Sequence, residues 1–298
     1  MSAWRVARIS LTSAAPGAAA FYRDALGFEV LGTETRAGEG FAGLMEIPVA
    51  RARATRLRLG GEEVELLAFD PPGLPYPAER RADDPWFRHF AIVVSDMQAA
   101  HARLRGVPGW TAISTGGPQR LPESSGGVTA FKFRDPEGHP LELLEFPPGR
   151  VPPAWRGRPT AAGPCLGIDH SAITVTNVAA SLGFYGGLGF EAAARTLNHG
   201  PEQARLDGLS GARATVVALH QPGVPGPHLE LLGYDPPSRA GPPPASNADV
   251  AASRLVLEAM ASGAAENAPR ILRDPDGHCI ELHPVPRGTD VSDRKLAW

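Results

Sequence analysis

The chain repeats itself, and the repeat limits what it can fold into. Phe21-Tyr-Arg-Asp-Ala-Leu-Gly-Phe-Glu-Val30 returns as Phe184-Tyr-Gly-Gly-Leu-Gly-Phe-Glu-Ala192. Each copy follows a strand-like alternation and a small-residue helix, predicted over 16–26 and 178–188. Gly27 and Gly189 fit the left-handed residue that closes such a helix. A second pair is Arg134-Asp-Pro-Glu-Gly-His139 and Arg273-Asp-Pro-Asp-Gly-His278, turn chemistry that joins two strands. A strand with Glu at a fixed place follows each turn, Leu141-Glu-Leu-Leu144 and Ile280-Glu-Leu-His283. The same strand stands without the turn at Val64-Glu-Leu-Leu67 and Leu229-Glu-Leu-Leu232.

These marks divide the chain into four units of one strand, one helix and three strands. The boundaries predicted are 1–78, 79–150, 163–238 and 245–286, with a tail over 287–298. Proline-rich linkers run over 71–77, 147–160 and 235–244. The fourth unit has only 259–269 between its first strand and its last ones, so its helix is expected to be missing or a single turn. The fold class predicted is α+β: four βαβββ modules, the fourth truncated, forming two curved mixed sheets with outer helices.

Strand faces locate the candidate site. In Arg88-His-Phe-Ala-Ile-Val-Val94, His89 and Ala91 lie opposite Phe90 and Ile92. In Asp169-His-Ser-Ala-Ile-Thr-Val175, His170 and Ala172 lie opposite Ile173 and Val175. A His followed by small residues on one face describes a cavity wall. Glu142 shares a face with Leu144 and Phe146, and Glu230 with Leu232 and Tyr234. A carboxylate on an apolar face is costly without a partner, and a divalent metal would be one.

The His-bearing first strands, the Glu-Leu last strands and the two Asp-Pro-acidic-Gly turns resemble the vicinal oxygen chelate superfamily of glyoxalases, extradiol dioxygenases and bleomycin-resistance proteins. The resemblance covers nearly the whole chain outside the linkers and tail. It implies paired modules enclosing one metal between His of first strands and Glu of last strands. Module one offers Glu65 but has Arg8 near the His position; module four offers Glu281, with Ser253 or Arg254 near it. Modules two and three offer His89, Glu142, His170 and Glu230. The fused-glyoxalase pairing, two with three and one with four, collects those four as metal ligands and is preferred. The dioxygenase pairing would leave His170 and Glu281, with His283 as a substitute ligand.

The ligand set suits one divalent ion, Fe, Zn, Mn, Ni or Co. The resemblance implies a glyoxalase-like isomerase or lyase acting on a small molecule with vicinal oxygens, with Glu142 or Glu230 as general base. A ring-cleaving dioxygenase and a metal-free small-molecule binding protein are the alternatives. Other residues take plainer roles. Glu65 and Glu281 are expected to be solvated or paired with Arg56, Arg58 or Arg270. His139 and His278 are expected to be exposed turn residues, and His199 and Glu202 polar loop residues. Phe21-Tyr22 and Phe184-Tyr185 are expected in helix cores, and His228 to share the face of Glu230.

Composition narrows the rest. Net charge is −3, which argues against nucleic acid, and no apolar run suits a membrane span. Arg5, Arg8, Ser10 and Thr12 interrupt what would be a signal peptide core. Cys165 and Cys279 make no disulfide framework, so a reduced, cytoplasmic setting is expected. A homodimer is left open.

Overall fold

The computed structural model describes residues 4–15, 17–160, 162–237, 244, 246–260 and 268–284. Module one supplies β1 (Trp4–Ser13), α1 (Ala19–Leu26), β2 (Glu29–Ala37), α2 (Glu39–Met45), β3 (Arg51–Leu59) and β4 (Glu62–Phe69). Module two supplies β5 (Arg88–Val94), α3 (Met97–Arg105), the short β6 (Thr111–Ala112) and β7 (Gln119–Arg120), β8 (Thr129–Arg134) and β9 (Pro140–Glu145). Module three supplies β10 (Cys165–Thr174), α4 (Val178–Gly187), β11 (Glu191–His199), α5 (Pro201–Asp207), β12 (Arg213–His220) and β13 (His228–Tyr234). Module four supplies β14 (Arg254–Ala259), β15 (Arg270–Arg273) and β16 (Cys279–His283). The segment 261–267, where the fourth unit's helix is in question, and the tail lie outside the described residues.

The result is a mixed α+β fold with two open mixed sheets. One has nine strands, in the order β11-β12-β13-β10-β5-β9-β8-β6, with β7 also on β8. The other has seven, in the order β15-β16-β14-β1-β4-β3-β2. Modules two and three therefore share one sheet, and modules one and four the other. Within each module the first and last strands are parallel neighbours, and the repeat holds to the residue. Ala91 lies beside Glu142, Ala172 beside Glu230, Ser10 beside Glu65 and Val256 beside Glu281. At the centre of the larger sheet β5 and β10 run antiparallel, with His89 opposite Ala172 and His170 opposite Ala91. The two halves thus face each other about a local two-fold axis.

The apolar faces opposite the histidines make the core. Phe90, Ile92, Ile173, Leu229 and Leu231 pack with Phe21, Tyr22 and Leu26 of α1 and with Leu104 of α3. Gly27 and Gly189 have φ of 81° and 86° and close α1 and α4 in the left-handed conformation predicted for them. Helices α2 and α5 were not anticipated. They insert between the second and third strands of modules one and three, so Glu202 lies on a helix, paired with Arg205, and His199 ends β11. No helix among the described residues is long and apolar enough to cross a membrane.

The turn histidines correct the sequence reading. His139 and His278 are buried, not exposed. His139 joins Asp135 through Nδ1 at 2.9 Å and reaches the Thr12 carbonyl through Nε2 at 2.9 Å. The Tyr22 hydroxyl donates to the same carboxylate at 2.7 Å. The second copy matches: Tyr185 donates to Asp274 at 3.1 Å, and His278 reaches the Thr174 carbonyl at 2.8 Å. The Phe-Tyr motif and the Asp-Pro-acidic-Gly-His motif are therefore mates in space. They lock module two onto module one, and module four onto module three.

Candidate functional site

The larger sheet curves around a cavity of about 310 Å3, and the candidate ligands line it. His89 Nε2 lies 2.9 Å from Glu142 Oε2. His170 Nε2 lies 3.5 Å from Glu230 Oε2, and the two imidazole rings stand edge to face, 5.9 Å between centres. Ligand atoms of His89, Glu142 and His170 fall within 4.8 Å of one another. Glu230 stands outside that trio, touching His170 and, at 3.4 Å, His228 Nε2.

His89 is the unsettled member. Among the described residues both its ring nitrogens are buried without a hydrogen-bond partner, since the 2.9 Å approach to Glu142 is not aligned as one. Burial and the nearby Lys132 ammonium push its pKa down, which keeps it neutral, the form that ligates metals. The His170 pKa is instead raised to about 9: burial opposes the charge, but Glu230 and Asp169 outweigh it. Glu230 is held down to about 2, where burial pushes up and the His170 and His228 imidazoles win.

Asp169 is a residue to which strand alternation gave no role. Between Ile168 and His170, β10 advances two residues while β5 advances one, so Asp169 is the extra residue of a β-bulge. The bulge turns its carboxylate back onto His170 Nδ1, at 3.0 Å, which leaves Nε2 facing the cavity. Trp155 Nε1 donates to the other oxygen at 3.0 Å, and His228 Nδ1 lies 3.7 Å away. A matching irregularity in β1 at Ala7 carries no carboxylate. If His170 ligates a metal, Asp169→Ala will weaken that metal about ten- to hundredfold, the usual cost of losing such an orienting bond. Competition against a chelator dye would read it, and unchanged affinity would make Asp169 a bystander.

Lys132 is a second residue that sequence reasoning passed over. It sits beside Glu142 in the β8–β9 pair, with Nζ 4.0 Å from that carboxylate and 2.7 Å from Asp207.

The smaller sheet has guanidinium groups where the larger has imidazoles. Arg8 reaches Glu65 at 3.6 Å and Glu281 at 3.9 Å, and Arg254 reaches Glu281 at 3.5 Å. Arg36 closes on Glu65 at 2.5 Å, and His283 on Glu281 at 2.5 Å. Glu65 and Glu281 are buried and paired, and two of the expected arginines turn to other carboxylates: Arg56 joins Glu63 and Arg58 joins Glu29. His170 and Glu281 lie in different sheets, so the dioxygenase-like pairing is absent.

Among curated proteins, none matches the chain significantly by sequence. Of solved structures, glyoxalase I from Zea mays is similar at TM-score 0.58 and 15% identity, over 94% of this chain and 92% of that one. A Bacillus subtilis protein provisionally described as a dioxygenase is similar at TM-score 0.54 and 13% identity, over 96% and 87%. At such identities the likeness is one of fold. A family profile matches residues 10–143 and 167–266, most of both repeats, and by that match the chain belongs to the Glyoxalase/Bleomycin resistance protein/Dioxygenase superfamily.

Proposed function

We propose that the protein is a metal-dependent isomerase or lyase of glyoxalase-like type, acting on a small molecule with vicinal oxygens. His89, Glu142, His170 and Glu230 would hold one divalent ion. The observation that carries this is His89, whose two buried nitrogens have no hydrogen-bond partner among the described residues while a carboxylate and a second imidazole stand beside it. An unpaired buried polar atom costs about 1–3 kcal/mol, and an ion would remove that cost. Two imidazoles with carboxylates suit Zn, Fe, Mn, Ni or Co. When bound, the ion supplies Lewis acidity toward the oxygens of the substrate.

The chain's own residues have separate tasks. Asp169 fixes the ring of His170, and Lys132 lies beside Glu142 opposite His89. Glu230 is the better candidate for the base that takes the proton from carbon. It lies outside the close trio and is partly open to the cavity, its side chain 21% exposed. The charge on His170 that depresses it disappears once that ring is neutral, as a ligating imidazole is. Leu121, Leu144 and Leu206 give the cavity an apolar wall. A small molecule is the partner that a cavity of this size supports.

Metal analysis of the purified protein by mass spectrometry tests the proposal, and one ion per chain is expected. Glu65→Gln and Glu281→Gln should leave that content unchanged, because guanidinium groups already occupy their half. A chain that stays metal-free after incubation with each of the five ions would point instead to a binding protein without metal.

A further inference from the structure

Lys132 has more hydrogen-bonding capacity than the fold uses. An ammonium has three N–H donors. Among the described residues the one hydrogen bond that the Lys132 ammonium makes is to Asp207, at 2.7 Å. Glu142 lies beyond hydrogen-bond reach at 4.0 Å. The side chain is buried, yet it lines the cavity, and among the described lining residues it is the one lysine or arginine. A buried ammonium with unspent donors is expensive to maintain unless a ligand completes it.

The surroundings hold it in place. Asp207 also accepts from Gln203 Nε2 at 2.7 Å and from the Tyr234 hydroxyl at 3.0 Å. Gln203 and Tyr234 line the same cavity. Three elements, α5, β8 and β13, thus converge on one carboxylate that fixes one ammonium beside the candidate metal ligand Glu142. The cavity, at about 310 Å3, is at the low end for small-molecule pockets. The same cavity is lined by the apolar Leu206, Leu232 and Ala214 as well as by the carboxylates of Glu142 and Glu230.

We infer that Lys132 receives a negatively charged oxygen of the substrate, and that the substrate class is a small 2-oxo or 2-hydroxy carboxylate. The carboxylate supplies the charge and the adjacent oxygen supplies the second member of the vicinal pair. A purely structural role for the Lys132–Asp207 pair would leave the ligand's charge irrelevant. The placement of the oxygen pair rests on the metal reading above; the preference of Lys132 for an anion does not.

The test compares pyruvate with its neutral near-isostere butane-2,3-dione by calorimetry, on the full chain with and without cobalt(II). The cobalt visible spectrum reports separately whether the metal site loads. Wild type should prefer pyruvate by at least tenfold with or without cobalt. Lys132→Met should lose about ten- to hundredfold in pyruvate affinity, the span of a charge-assisted hydrogen bond, and keep its affinity for the dione. Asp207→Asn releases the ammonium from its competing charge and should bind pyruvate severalfold more tightly. Lys132→Arg keeps the charge, and retention of the preference there guards against misfolding of the Met variant. No pyruvate binding by wild type, an unchanged preference in Lys132→Met, or weaker binding in Asp207→Asn would each overturn the inference. Failure of cobalt to load would count against the metal site alone.

Discussion

Asp135→Ala will lower the unfolding free energy by about 3–5 kcal/mol, the range for removing one partner of a buried ion pair. The carboxylate does more than pair with an imidazole. Its Oδ1 accepts from the backbone N–H groups of Glu137, Gly138 and His139, at 2.9, 2.8 and 2.8 Å. Its Oδ2 takes Tyr22 and His139. Alanine leaves four of these five donors without an acceptor, since Gly138 N–H keeps its bond to the Asp135 carbonyl at 2.9 Å, and it weakens the lock between modules one and two. Chemical denaturation of the purified variant measures the loss, and a loss below about 1 kcal/mol would mean that the lock is ornamental.

The same pair sets a pH dependence. Burial pushes the His139 imidazolium down, but the Asp135 carboxylate outweighs it and holds the pKa above the ordinary value. Burial pushes Asp135 up, but the His139 charge and hydrogen bonds hold it below the ordinary value. A raised His contributes stability that is full below its unfolded pKa of about 6.5 and is lost as pH rises through the folded one. A depressed Asp contributes stability that is full above about 4 and is lost as pH falls. The pair therefore stabilises most between roughly pH 4 and 6.5. His139→Gln should remove the part of the alkaline decline that belongs to this ring. The second copy should not show it, because burial and the Arg88 charge keep the His278 pKa below its ordinary value.

Much of this architecture was legible in the sequence, and the failures have physical causes. Four Glu-Leu strands and two His-bearing strands carried the module count and the cavity faces, because strand alternation is local and the repeat supplied independent copies. Alternation assigned no role to Asp169, since a bulge adds a residue that no local signal announces and turns the next side chain over. The turn histidines were misread because their partners, Thr12 for His139 and Thr174 for His278, lie more than a hundred residues away. Lys132 was passed over for the same reason, its partner being 75 residues on. Helix α5 was within reach. Pro201 starts it, Glu202 complements its first turn, and Gly208 ends it with φ 63°. Arg8 and Arg254 were seen only as missing histidines, when each is a cation standing where a metal ligand would otherwise need a cation beside it.

That substitution frames the second large effect. His89→Ala and His170→Ala are each expected to weaken metal binding by more than the ~100-fold that losing a hydrogen bond that only orients a ligand can cost. The two rings contribute differently. His170 is held by Asp169, so its Nε2 is presented to the cavity in one orientation. His89 has no such restraint, and both its nitrogens are without hydrogen-bond partners among the described residues. Alanine there removes the buried orphans along with the ligand, so the metal-free variant should be less destabilised than its burial suggests. The wild type should gain stability with added metal by mass action, about 2.7 kcal/mol at a hundred times the dissociation constant. Both variants should lose most of that gain, which thermal melts with and without metal would show beside mass-spectrometric metal content. The smaller sheet is the built-in comparison: its carboxylates already face Arg8 and Arg254, so Arg254→His alone should not create a strong site while Arg8 remains. A His89→Ala protein that keeps its ion and its metal-dependent melting would remove His89 from the ligand set and leave its unpaired nitrogens to the binding of a substrate.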